Sequence, residues 1–333
     1  ENFYGVNQRA IEKWESWPDA WVIPAGQDNG PGITYAVRAL TMADVEVHQA
    51  QEAFTVGSAA FPEGSWVIPM NQPYASFANT MLEIQEYPDL REYPGGPPQR
   101  PYDVTAHTLG YLLDFDAVAV DGRLDVPLSA PVPVPDFDFR LPERLSAEDA
   151  PRVALYKSWQ EPMTEGWQRW VFDQHDMPYD TLHDADIQAG ALSDYDVLIF
   201  QAQTARSIER GHAPGSIPTQ YAGGLGEAGG SAVQAFVEGG GRVIAIEAAT
   251  EYVSDMFGLG VSDLTDRLPN TEFYIPGSIL RLELDPESHM SQGMRSEIAS
   301  WYWRSSMAFD VDDPRVRVAA RYGSGDPLLS GWV

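Results

Sequence analysis

Short apolar runs alternate with helically spaced apolar positions over the first 120 residues. Residues 20–24 form an apolar run of strand length, and Ile33, Val37 and Leu40 then recur at the three- and four-residue spacing of a helix. Residues 54–56 and 65–68 flank a Gly-bounded segment that predicts a hairpin, and residues 115–120 predict a further strand. The pattern therefore predicts an α/β domain over residues 1–120.

The alternation stops between residues 121 and 151, where proline is frequent. A Pro-Val-Pro-Val-Pro run at 131–135 favours an extended, polyproline-like path. We therefore interpret 121–151 as a Pro-rich linker between two domains, in line with the usual size of about 100–200 residues per domain.

Strand and helix patterns resume at residue 152. Continuous apolar runs at 153–156, 196–200 and 242–246 predict buried strands, and Trp167, Trp170 and Val171 lie at helical spacing between the first two runs. Such an order is typical of a parallel sheet with helices on both faces. A more β-rich stretch follows from about 278. We therefore predict a second α/β domain over 152–333 with a β-rich C-terminal extension.

The charge balance excludes some partners. The 333 residues include 49 Asp and Glu against 21 Lys and Arg, which gives a net charge of −28. A surface this acidic repels phosphate backbones and anionic headgroups, so we expect neither nucleic-acid binding nor docking on a membrane through a basic patch. No run reaches the roughly 18 apolar residues of a membrane-spanning helix. The acidity favours a salt-exposed, halophilic protein; an ordinary acidic soluble protein is the alternative.

Motif searches give no catalytic site. There is no cysteine, no Gly-x-Ser-x-Gly elbow, no P-loop and no His-x-x-Glu pair among the six histidines. The nearest approach to a cation site is His183-Asp184-Ala185-Asp186, for which the start of a helix is the simpler interpretation. We therefore predict no metal and no cofactor within these residues.

Several separated motifs resemble the C-terminal, post-catalytic region of bacterial zinc carboxypeptidase-like proteins of the carboxypeptidase A superfamily. These motifs are WVIPMNQPY at 66–74, PGGPP at 94–98, ALYKSW at 154–159, EGWQRW at 165–170, YAGGLG at 221–226 and PGSILR at 276–281. The resemblance implies a non-catalytic accessory segment that follows an N-terminal metallocarboxypeptidase domain. Zinc, the peptide substrate and proteolysis would belong to that domain, which would be this segment's partner.

The same resemblance implies a secreted or periplasmic protein. The sequence opens at Glu1 without an initiator methionine and stops at Val333 within an apolar stretch, so we expect a segment of a longer protein. No zinc ligand of the family has a matching position here. Whether this segment is itself an enzyme stays open, although the resemblance favours a non-catalytic role.

The second domain also resembles the flavodoxin-like fold of class I glutamine amidotransferases, in a degenerate form. In that family a strand turns sharply into a helix and presents a cysteine, whereas the matching position here is Glu247. A carboxylate is a poor substitute for an acyl-forming thiolate, so we expect no amidotransferase activity. Glu247 and Gln201, each at a predicted strand end, could instead form a crevice of a stand-alone small-ligand-binding module. The simpler alternative is a carboxylate satisfied by backbone donors. A hydrolase acting through Glu247 is the weakest interpretation.

Overall fold

The computed structural model describes residues 2–12, 17–137, 150–303 and 306–333. The chain divides into two compact units, which we treat separately. Unit 1 comprises Glu1–Asp138, Leu268–Arg304 and Val318–Val333, and unit 2 comprises Phe139–Arg267 and Ser305–Arg317. Unit 2 is thus flanked in sequence on both sides by segments of unit 1.

The helices of the described residues are mostly short. They are α1 (Asn2–Ile11), α2 (Gly30–Met42), α3 (Ala75–Leu82), α4 (Leu109–Leu112), α5 (Met163–Gln174), α6 (Asp184–Gln188), α7 (Ala205–Arg210), α8 (Gly226–Glu238) and α9 (Ala249–Phe257).

The strands are also short. Those before residue 150 are β1 (Ala20–Ile23), β2 (His48–Gln49), β3 (Phe54–Val56), β4 (Ala59–Phe61), β5 (Trp66–Pro69) and β6 (Val118–Val120). Those after it are β7 (Val153–Tyr156), β8 (Asp180–Leu182), β9 (Val197–Phe200), β10 (Arg242–Ala245), β11 (Val261–Asp263), β12 (Ser278–Leu284), β13 (Glu297–Tyr302), β14 (Phe309–Val311), β15 (Ala320–Tyr322) and β16 (Leu328–Ser330).

Unit 1 contains a four-stranded antiparallel sheet in the order β2-β5-β1-β6. Strand β1 is buried along its whole length, and its side chains alternate between two cores. Trp21 and Ile23 pack with the apolar face of α2, whereas Ala20 and Val22 pack with the β3–β4 hairpin. The predicted hairpin is therefore shorter than the sequence indicated, because β3 pairs with β4 and β5 pairs with β1.

The described part of the predicted linker belongs structurally to unit 1. The backbone nitrogens of Ser129 and Val132 donate to the carbonyls of Gln49 (2.9 Å) and Val47 (2.8 Å). Leu128 also packs against the core beneath the hairpin. Extended, proline-rich backbone can pair along an edge wherever a non-proline residue supplies the donor, which explains this arrangement. Residues 138–149 of the predicted linker lie outside the described residues.

The β-rich stretch predicted as an extension of the second domain lies mainly in unit 1. Strand β12 pairs with β13, β15 and β16 in one antiparallel sheet. This sheet is tied to the first part of the chain: the Gln85 nitrogen donates to Ser330 Oγ (2.9 Å), and Thr105 Oγ1 lies 3.0 Å from Ser278 Oγ. These long-range hydrogen bonds place 268–304 and 318–333 with unit 1. Among the strands of the predicted extension, only β14 lies in unit 2, where it pairs with β11.

Unit 2 is a flavodoxin-like α/β unit. Its sheet has the order β8-β7-β9-β10, and all of its neighbouring strands are parallel, as the sequence predicts. Side chains of β7 alternate between the two faces: Val153 and Leu155 pack with α5, whereas Ala154 and Tyr156 pack with the core that α6 to α9 cover. Helices therefore cover both faces of this sheet, which confirms the predicted fold class.

Helix α5 presents its apolar residues in an unexpected direction. Trp167 and Trp170 are 60% and 51% exposed, whereas Glu165 is 1% exposed and Phe172 is buried. Helical spacing predicted an apolar stripe that includes Trp167 and Trp170, but it did not show which face of the helix is covered. The covered face carries Glu165. None of the helices within the described ranges is long and apolar enough to span a membrane.

Candidate functional site

The carboxyl ends of the four parallel strands of unit 2 meet at one edge of the sheet, where ligands bind in open α/β folds. His183 follows β8, Gln201 follows β9, and Glu247 lies two residues beyond β10. The Ile246 nitrogen donates to the Phe200 carbonyl (3.0 Å), which extends the β9–β10 pairing by one residue. The structure thus places the two predicted site residues, Gln201 and Glu247, after neighbouring strands.

Glu247 occupies a strained turn between strand β10 and helix α9. Its backbone φ is 49°, in the left-handed region that non-glycine residues seldom adopt. The turn is fixed by hydrogen bonds from the Ala249 nitrogen to the Ile246 carbonyl (3.2 Å) and from the Thr250 nitrogen to the Glu247 carbonyl (2.9 Å). A sharp strand-to-helix turn of this kind is how nucleophile elbows present a functional side chain. The Glu247 residue is partly buried.

Gln201 points toward helix α5. It is 4% exposed, and its Nε2 donates to Oε1 of Gln168 at 3.2 Å. Glu165 lies one turn earlier on the same helix, within the i, i+3 spacing that places two side chains on one face. The strand end and the first two turns of α5 therefore share a set of polar groups, of which Glu165 and Gln201 are buried and Gln168 is half-buried.

Glu165 is the least satisfied member of this set. Its Oε1 accepts a hydrogen bond from Nε of Arg169 (2.7 Å), and this bond raises the pKa of the arginine. Its Oε2 is buried and has no hydrogen-bond partner among the described residues. A buried carboxylate oxygen without a donor is costly, and a donor from a ligand would relieve that cost.

Aromatic and amide side chains form the neighbouring part of the edge. The rings of Trp159 and His183 stack at 3.9 Å with an interplanar angle of 3°, and Tyr221 packs edge-on against Trp159. His183 Nδ1 lies 2.6 Å from the Lys157 carbonyl, which can only accept, so Nδ1 carries the proton. Gln203 Nε2 donates to Ser158 Oγ at 3.0 Å. These contacts fix the loop that follows β7.

Tyr156 and Asp184 form a buried pair beside this loop. The tyrosine hydroxyl donates to Asp184 Oδ1 at 2.5 Å. Burial raises the pKa of Asp184, while the hydrogen bond from Tyr156 acts in the opposite direction. Burial, together with the Asp184 charge, raises the pKa of Tyr156 far above its ordinary value. This buried, hydrogen-bonded pair supports the edge.

The His183–Asp186 segment is the start of a helix. Asp186 Oδ2 accepts a hydrogen bond from the His183 nitrogen at 2.9 Å, which caps α6. The described residues contain no group of three or more His, Asp or Glu side chains placed to hold a metal ion.

Sequence reasoning identified Gln201 and Glu247 but missed Glu165, Gln168 and Trp159. Position alone was the available signal: Trp159 lies in the loop after β7, and the other two lie in the first half of the helix that this loop enters. In an open α/β fold, both places face the ligand-binding edge.

Comparison with known proteins gives only weak structural similarity. No family model matches the chain, and no curated protein matches it in sequence. Among solved structures, a protein from Thermoplasma acidophilum that is described as a GMP synthase component shares 11% identity with a TM-score of 0.34. The match covers 52% of this chain and 74% of that chain. The chain is thus only weakly similar to this protein, and the flavodoxin-like fold of unit 2 rests on its own strand order.

Proposed function

We propose that this chain is a non-catalytic accessory segment of a zinc metallocarboxypeptidase-like protein, and that its unit 2 binds a small ligand at the sheet edge near Gln201 and Glu247. The single observation that carries the binding role is the left-handed backbone of Glu247. A long polar side chain held in strained backbone at a strand-to-helix turn is typical of functional sites. A residue with a purely structural role would more readily be glycine.

The groups at this edge favour a cationic ligand. Glu247 supplies a carboxylate, Glu165 supplies a buried oxygen without a donor, and Gln201 supplies an amide. Amines and guanidinium groups donate several hydrogen bonds and carry the complementary charge. The net charge of −28 attracts such ligands over a longer range.

The metallocarboxypeptidase part of the proposal is supported by the sequence motifs alone. Under it, zinc and the hydrolysis of C-terminal peptide bonds belong to a separate peptidase domain, and the whole protein is exported. A carboxylate in place of the amidotransferase cysteine also argues against acyl transfer at this edge, because it is a weak nucleophile toward amides.

A binding experiment tests the ligand site. We would titrate the 333-residue chain with methylguanidine and n-butylamine, using acetamide as a neutral probe, and follow binding by calorimetry and thermal shift. The Glu247→Gln variant should bind the cationic probes about 10- to 100-fold more weakly, because a charge-assisted hydrogen bond contributes about 1.5–3 kcal/mol. Glu251→Gln, an exposed position on α9, is the matched control and should leave affinity unchanged.

Two results would contradict the proposal. Equal affinity in parent and Glu247→Gln would remove the ligand role of this residue. The accessory role is tested separately. The chain should contain no stoichiometric zinc and should not release C-terminal residues from peptides. Turnover in the peptide assay is the second contradicting result, because it would show a catalytic protein instead.

A further inference from the structure

Unit 1 contains a second candidate binding site, which is independent of the sheet edge in unit 2. It is a cavity of about 590 Å³, within the range of about 300–1,000 Å³ that ligand pockets occupy. Apolar side chains from separate segments form much of its wall. They are Trp21, Leu82, Phe115, Ile298 and Leu329.

Two strands with unpaired edges border this cavity. Residues 117–119, around strand β6, and residues 297–299 of strand β13 line it. Among the strands of the described residues, β6 pairs only with β1, and β13 pairs only with β12. Each strand therefore has one edge without a strand partner. Such an edge presents a row of backbone N–H and C=O groups that can pair with another chain.

An ion pair connects the segments that lead into these two strands. Arg295 Nη1 lies 3.4 Å from Asp114 Oδ1, just before β13 and β6 respectively. Three consecutive residues of each segment line the cavity, 117–119 and 297–299. Because alternate side chains of a strand point to opposite faces, this lining means that the strand edge borders the cavity and not one face alone.

We propose that this cavity binds an extended peptide segment, which pairs as an added strand with the free edges of β6 and β13. Addition of a strand to a sheet edge is a general mode of peptide recognition, in which main-chain hydrogen bonds supply affinity and alternate side chains supply selectivity. A small organic ligand or a helix would fill the apolar wall but would leave both strand edges unpaired.

The lining also indicates which peptides fit. Alternate side chains of an added strand point to opposite faces, so one set faces the apolar wall and should be aliphatic. The other set faces the charged rim, where Asp114, Asp116 and Glu297 outnumber Arg281 and Arg295. Side chains on that face should therefore be uncharged or basic, since an acidic peptide would meet a net negative rim in an already acidic protein.

The test uses the full 333-residue chain and a neutral peptide amide, Thr-Val-Thr-Val-Thr-Val, labelled at its amino end with tetramethylrhodamine, a dye without net charge. Successive N–H groups of a strand point to alternate edges. A peptide N-methylated at its three valines therefore loses its donors to one strand, and one methylated at its three threonines loses its donors to the other. Each methylated peptide should bind at least about tenfold more weakly by fluorescence polarisation, because each lost hydrogen bond weakens binding by several-fold.

A cavity-filling variant provides a second readout. Ala119 is exposed and lines the cavity, so Ala119→Trp should abolish binding of the unmethylated peptide. Ala60→Trp, an exposed alanine on the separate β3–β4 hairpin, is the matched control and should bind like the parent. The N-methyl comparison needs no variant, so it stands even if Ala119→Trp fails to fold.

Three outcomes would overturn the proposal. The first is that the unmethylated peptide does not bind at concentrations up to about 1 mM. The second is that either methylated peptide binds as tightly as the unmethylated one. The third is that the Ala119→Trp and Ala60→Trp variants bind the unmethylated peptide equally well. If both methylated peptides bind as tightly as the unmethylated one, the cavity is an apolar small-molecule site instead. None of these outcomes bears on Glu247, so the two proposals fail independently.

Discussion

Replacement of Glu247 by glycine should leave unit 2 more stable than replacement by alanine, and both changes should remove ligand binding. The left-handed backbone at this position costs a non-glycine residue about 1–2 kcal/mol. Glycine relieves this strain but loses more conformational freedom on folding, at a cost of roughly 0.5–1 kcal/mol. Because glycine and alanine both remove every contact of the glutamate side chain, Glu247→Ala is the proper reference. The glycine variant should therefore be more stable than the alanine variant by about 0.5–1 kcal/mol.

Differential scanning calorimetry and urea unfolding measure this difference. For a unit of this size, about 1 kcal/mol corresponds to roughly 2–4 °C in Tm. Asp176→Gly is a matched control, because Asp176 follows α5 with a φ of 50° but lies outside the candidate site. It should also stabilise the fold, and it should leave the binding of methylguanidine unchanged. A glycine variant at 247 that is less stable than the alanine variant would refute the strain argument.

Two further predictions concern the supporting structure. Phe172→Ala should lower the free energy of unfolding of unit 2 by about 3–5 kcal/mol in urea. Trp170→Ala, on the exposed side of α5, should lower it by less than about 1 kcal/mol. Similar losses in the two variants would mean that the outer face of α5 is covered. For Asp184, burial raises the pKa above its unfolded value of about 3.9, so the folded state holds the proton more tightly. The contribution of this carboxyl to stability is therefore greatest at low pH and is lost as pH rises through the folded pKa. Asp184→Asn keeps an acceptor for Tyr156, and it should gain stability relative to the parent as the pH rises above about 4. Urea midpoints that shift equally with pH in both proteins would contradict this.

The parallel sheet of unit 2 was predictable because its strands are continuous apolar runs separated by helical segments. Runs such as 153–156 and 197–200 are buried on both faces, so they need no alternation to be recognised. The same reasoning placed Gln201 and Glu247 after neighbouring strands. The parallel arrangement and the ends of β7, β9 and β10 were therefore within reach of the sequence pattern, whereas the short strand β8 and the strand order were not predicted.

The assignment of the β-rich stretch was not predictable in the same way. Strand β12 has a clear strand pattern, but the pattern does not state which earlier segment it joins. That choice depends on hydrogen bonds such as those between Thr105 and Ser278, which link residues 173 positions apart. Single hydroxyl groups carry little signal in a sequence.

The chemistry of the candidate site also exceeded the sequence pattern. Glu165 looks like a favourable first-turn residue at an exposed helix start, whereas the structure buries it and leaves one oxygen without a donor. The left-handed backbone of Glu247 was equally hidden, because glycine or asparagine is the usual marker of such a turn. Functional strain of this kind contradicts local preference, so local preference does not find it.

The order of segments along the chain has a consequence for synthesis. Residues of unit 1 that pair with one another, such as Gln85 and Ser330, are 245 positions apart, and most of unit 2 lies between them. A ribosome that adds about 5–20 residues per second needs roughly 10–50 s to cover that distance. During this interval unit 2 can fold, while the buried hydroxyl of Thr105 still lacks its partners, the Gly277 carbonyl and the Ser278 hydroxyl. We therefore expect the first 138 residues to depend on chaperones until the last strand has been made.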